Sequence, residues 1–92
     1  MPRVFKIGPY LVCFWSDEME PLEPVHVHVS QGEPRQNSTK GWLTKSGRAL
    51  LCNNDSNIPA HVLKNIMDAI EERHEDIVAR WQKHFEEISY YC

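Results

Sequence analysis

Along this 92-residue chain the spacing of apolar residues changes once, across Asn53-Asn54-Asp55-Ser56-Asn57. Before that point apolar and polar residues alternate; after it, apolar residues recur every three or four positions. Alternation puts successive side chains on opposite faces of a strand, whereas the longer period lines one side of a helix. A chain ordered in this way folds as a sheet followed by helices, the α+β class.

Within the first half, Arg3 to Ile7 and Tyr10 to Ser16 are rich in β-branched and aromatic residues. Only Gly8-Pro9 separates them, and glycine before proline suits a type II′ hairpin. Tyr10 to Trp15 is apolar on both faces and reads as a central strand. Ser16 to Pro24 holds Asp17, Glu18, Glu20 and Glu23 between two strands and reads as a loop. Val25-His26-Val27-His28-Val29 alternates strictly and is the clearest strand. Residues Thr39 to Thr44 and Arg48 to Cys52 form a second hairpin turning at Lys45-Ser46-Gly47. In the second half Val62, Leu63, Ile66, Met67 and Ile70 form one helical stripe, continued in phase by Ile77, Val78, Trp81, Phe85 and Ile88. Asn57 can cap it and Pro59 fits its first turn. A single helix from Pro59 to Ile88 would be about 45 Å long. That exceeds the diameter of so short a chain, so a break is expected near Arg73-His74-Glu75-Asp76. The expected architecture is one domain over 1–92: an antiparallel sheet of four to five strands over about 2–52, then two helices or one bent helix over about 58–89, packed on one face.

Charged residues at 25% and hydrophobic ones at 41% are ordinary soluble usage, which sets aside disordered and coiled-coil readings. The longest apolar run, Tyr10 to Trp15, is too short to span a bilayer, so no membrane partner is expected. The first residues show no leader pattern. Three widely spaced cysteines, Cys13, Cys52 and Cys92, suit thiols in a reducing cytoplasm. The net charge of −3 argues against wholesale wrapping of nucleic acid. Locally, however, the stretch between Pro34 and Asn54 contains no acid but holds Arg35, Lys40, Lys45 and Arg48 beside Trp42. Such bases could neutralise phosphates while the indole stacks a nucleobase. The competing reading, a solvated hairpin with Trp42 in the core, fits the net charge better.

His26 and His28 are the main candidates for chemistry. Two apart on a strand, they share a face with Cα atoms roughly 6.6 Å apart. They could act as a proton-transfer pair or share a metal ion, which would need a third ligand such as His61, His74, Asp17, Glu20 or Glu23. None of these has a diagnostic spacing. The plainer reading has the valines facing the core and both histidines facing solvent. No cofactor motif is present, so no cofactor is expected, and nothing supports a cysteine nucleophile.

Four segments in order resemble the bacterial domain-of-unknown-function family 4160. They are Met1-Pro2-x-Val4-Phe5 leading into Gly8-x-Tyr10; Phe14-Trp15-Ser16-Asp17-Glu18; Pro24-Val25-His26-Val27-His28-Val29; and Lys40-Gly41-Trp42-Leu43, followed by a helical end carrying Trp81. The His-Val-His-Val block is the specific part. Val25 stands where the family has a second proline, and Glu20 to Glu23 add acidic residues before it. The resemblance implies a small protein of no established activity, often encoded beside a second small protein in a toxin–antitoxin-like pair. It supplies no catalytic residues, so His26 and His28 enter as motif positions. Two functions follow as expectations. The first is a protein-binding module whose partner is that second protein, with a homodimer as the other association considered. The second is a small ribonuclease-like hydrolase using His26 and His28 as acid and base.

Overall fold

The computed structural model describes residues 3–15, 22–33 and 38–92. Strands β1 (Arg3–Ile7), β2 (Tyr10–Cys13), β3 (His26–Gln31), β4 (Thr39–Leu43) and β5 (Ala49–Asn53) form one sheet, and helices α1 (Ala60–Glu72) and α2 (His74–Phe85) follow. Each strand pairs antiparallel with the next in chain order, so β3 lies in the middle and β1 and β5 are the edges. The α+β class, the antiparallel sheet and the two helices expected from the change of period are all present.

Local chemistry explains the turns. Gly8 stands at φ 58° ahead of Pro9, the type II′ arrangement, and Ile7 pairs with Tyr10 across it. The run expected as one strand to Ser16 pairs only as far as Cys13; Phe14 and Trp15 lie past the strand end. Asn57 does not cap α1. It takes a left-handed φ of 55°, and the Asn54 side chain instead brackets Ile58, accepting from its N–H at 3.1 Å and donating to its carbonyl at 2.9 Å. That loop is tied back to the sheet: Ser56 Oγ donates to the Val29 carbonyl and accepts from the Thr39 N–H, both at 3.0 Å.

The break between helices falls at Arg73, inside the expected segment. Its N–H reaches both the Ala69 and Ile70 carbonyls, a tightened last turn, while its own carbonyl accepts from Ile77 and opens α2. With a longest dimension of 33 Å, the molecule has no room for an unbroken helix of about 45 Å. Glu75 and Asp76 at the start of α2, and Lys83 and His84 at its end, match the helix dipole. The helix stops at Phe85, three residues before the Ile88 of the apolar stripe, because Glu86 turns left-handed at φ 64°. Residues 86–92 form a non-helical tail. Its Ser89 carbonyl accepts from Val25 N–H at 2.9 Å and its Cys92 carbonyl from Lys45 N–H at 3.0 Å.

The core lies between the helices and one face of the sheet. Val27 and Val29 of β3 and Val25 just before it, all at most 1% exposed, meet Ile66, Ile70, Ile77 and Trp81. A Cβ on Gly41 would meet Met67 Cε at 3.6 Å, an ordinary packing distance, so α1 lies over β4 on this face. Among the described residues no helix is long and apolar enough to cross a membrane.

Candidate functional site

The opposite face of β3 carries His26 and His28, and the solvent-facing reading of the pair is overturned. His26 is 0% exposed and His28 8%. The alternation correctly separates the two faces of the strand; what it does not tell is that both are covered. Neighbouring strands bring Cys13 opposite His28, Trp42 opposite His26 and Lys40 opposite His28. Aromatic rings close around the pair: Trp15 lies 6.2 Å from His28, and Trp42 and Trp81 lie 5.5 and 5.3 Å from His26. Trp81 also stands 5.2 Å from Phe14, so it links the two faces where β2 stops. The tail completes the cover, with Tyr91 stacked on Trp42 at 5.0 Å and an interplanar angle of 6°.

Within this enclosure the imidazoles lie 5.0 Å apart, nearly edge to face. His26 Nδ1 donates to the Pro24 carbonyl at 2.9 Å, which fixes the proton on that nitrogen. His28 Nδ1 lies 3.4 Å from Ser38 Oγ. Burial lowers the His28 pKa from 6.5 to about 4, helped by His26 and the Lys40 charge and opposed by Glu23. His28 is therefore a neutral ring at pH 7. Lys40 forms an ion pair with Glu23 and sets its ammonium 4.4 Å from the Trp42 ring centre.

The remaining candidates are scattered. Of the proposed third ligands, Glu23 is bound to Lys40, His61 is exposed on α1, and His74 Nε2 lies 2.7 Å from the Thr44 carbonyl; Asp17 and Glu20 fall outside the described residues. Among the described residues no three His, Cys, Asp or Glu side chains group as metal ligands. The basic stretch is not brought together either. Lys40 is paired on the histidine face, Lys45 is exposed in the β4–β5 turn, and Arg48 donates to Glu71 at 2.8 Å. Arg35 lies outside the described residues, and Trp42 is half-buried beneath Tyr91. Cys13 is buried, whereas Cys52 and Cys92 are exposed.

Sequence reasoning missed two features. Ser38 and Tyr91 join the histidine face from a loop and the tail, where no periodicity points to them. The second is β5, whose Leu50 and Leu51 are 44% and 41% exposed. Here a signal existed: two adjacent leucines on a strand cannot both face one core. Glu71 anchors this strand to α1, accepting from the Ala49 N–H and from Arg48, and those bonds hold its carboxyl below the usual range.

A family model described as a domain of unknown function, DUF4160, matches residues 10–82, and the chain belongs to that family. No curated protein and no solved structure matches it. The matched span contains β2 to β5, both histidines and Trp81; β1 and the tail with Tyr91 lie outside it.

Proposed function

We propose that this family member is a protein-binding module, one half of a toxin–antitoxin-like pair, and that its partner, a second small protein encoded nearby, adds a strand along β5. One observation carries the reading: among the described residues β5 is an uncharged sheet edge with two half-exposed leucines, blunted only by a register shift at Cys52 and by Glu71 at the Ala49 N–H. Sheet edges are normally blunted by charge, proline, a bulge or a covering element, because an open row of backbone groups recruits other strands. Between Ala49 and Asn53 there is neither charge nor proline, and Leu50 and Leu51 stand half out of the fold. The other edge differs. In β1 the exposed Lys6 puts a charge on the strand, and the Arg73 guanidinium sits 4.5 Å over the Phe5 ring.

The direction of the open backbone groups follows from Glu71. The Ala49 N–H donates to that carboxylate rather than to β4, so it points off the sheet. Strand alternation then turns the Leu51 N–H and carbonyl the same way, toward an incoming strand. In this reading the pair works in the cytoplasm, where the exposed thiols of Cys52 and Cys92 stay reduced. The hydrolase alternative draws less support. An acid–base pair at neutral pH needs reachable groups that titrate there, whereas His26 is sealed and His28 titrates near 4.

Co-expression with the product of the neighbouring gene should give a complex that co-purifies. Leu50→Lys should abolish it while leaving the circular dichroism spectrum and melting temperature of the free chain unchanged. Two independent monomers, or a complex indifferent to Leu50→Lys, would overturn the proposal. For the alternative, RNA cleavage that is lost in both His26→Ala and His28→Ala, with folding intact, would reinstate a catalytic pair.

A further inference from the structure

We infer that, without its partner, the β5 edge is closed by a second copy of this chain, the two β5 strands running antiparallel about a two-fold axis at Leu51. The inference rests on the docking-edge reading above and names the occupant that holds the edge first.

Three features of β5 make it self-complementary. The outward N–H and carbonyl of Leu51 let the two Leu51 residues exchange both backbone hydrogen bonds, the closed pair of an antiparallel ladder. Side chains match across the same axis. Leu51 shares the helix face with its register partner Gly41, so the two copies of Leu51 meet there. Leu50, opposite Trp42 on the histidine face, meets Cys52 of the second copy. Each leucine thus loses exposure that the isolated chain cannot remove. Charge selects the orientation. The strand itself is neutral, but Arg48, exposed beyond its pairing with Glu71, precedes it and exposed Asp55 follows it. Antiparallel pairing at Leu51 sets Arg48 opposite Asn54 of the second copy, beside that copy's Asp55, whereas parallel pairing would set Arg48 against Arg48.

The ladder is short. The register with β4 jumps from Gly41–Leu51 to Lys40–Asn53, leaving Cys52 as an extra residue that twists the strand end. Such an interface falls below the size of stable complexes, so the dimer forms at high concentration and comes apart on dilution. A weak self-pair suits an edge that a partner must later take: the partner's strand and the second copy compete for the same Leu51 groups.

Sedimentation equilibrium on the full chain, across a hundredfold range of concentration, should show a reversible monomer–dimer equilibrium. Amide exchange at Leu51 should slow as concentration rises. Leu51→Lys should raise the dissociation constant by about tenfold or more, the burial of one leucine. Asp55→Lys should raise it by about threefold, an effect that shrinks in high salt. Adding the neighbouring gene product should dissociate the dimer. A chain that stays monomeric throughout, yet loses its partner complex on Leu51→Lys, would overturn self-pairing and leave the docking edge standing. A dimer that forms with the Leu51 amide unprotected and Leu51→Lys without effect would also overturn it, placing the contact elsewhere. If Leu51→Lys changes neither association, the docking edge falls as well.

Discussion

The two faces of β3 carry alternate residues of one segment, and they are built on different chemistry. On one, three valines pack into aliphatic and aromatic side chains of the helices, and shape is all that matters. On the other, two imidazoles are sealed among three tryptophans, with Ser38 and the Lys40–Glu23 pair beside them. The three valines carry no ionisable group and so add no pH dependence of their own. The histidine face loses stability once the His28 ring takes up a proton, because that sets a charge in a poorly solvating site. Burying polar rings in a domain this small makes one side of its sheet sensitive to acid.

The largest effect should come from Trp81, which touches both faces. Trp81→Ala should cost about 3–5 kcal/mol in urea unfolding. Its Nε1 is buried without a hydrogen-bond partner among the described residues, so Trp81→Phe should cost far less, since only packing is disturbed. If the two variants were equally destabilised, Trp81 would not be the packing link between the faces.

The next effect isolates the histidine face. The unfolded chain takes up a proton at His28 near pH 6.5, whereas the folded chain resists it until about 4. Stability from this group is therefore complete above about pH 6.5 and is lost as pH falls toward 4, by up to about 3 kcal/mol. Unfolding free energies of wild type and His28→Asn, measured across that window, should converge as pH falls. Parallel curves would mean that His28 is not held neutral by its surroundings. The smallest effect tests the tail: Tyr91, 60% exposed, covers Trp42, and Tyr91→Ala should cost about 0.5–1 kcal/mol while raising the accessibility of Trp42 to a fluorescence quencher.

Much of the fold was legible because it depends on periodicity and length. The switch of period placed sheet before helices, Gly8-Pro9 marked the first hairpin, and the impossible length of one helix called for a break near Arg73 to Asp76, which falls at Arg73. The site was less legible. His26 and His28 stood out by type and spacing, but their burial depends on Trp15, Trp81 and Tyr91, which arrive from three other segments. The basic stretch looked continuous as sequence, yet Lys40 and Arg48 turned to different acids, Glu23 and Glu71, that no local pattern connects to them. Helix ends were misplaced for a related reason: Asn57 has the right chemistry for a cap, but Asn54 reaches Ile58 first.

What the sequence by itself determined is the class of the fold, the order of its elements and the separation of valines from histidines. These are properties of a single strand or helix, set by the pitch of the backbone and by which neighbours share a face. Only the tertiary structure decided which faces are wet. It sealed the histidine face with distant aromatic rings, lowering the His28 pKa, and it left Leu50 and Leu51 of the β5 edge half exposed. Solvent exposure is settled by what lies on top of a residue, and in this chain the covering residues are remote in sequence from those they cover.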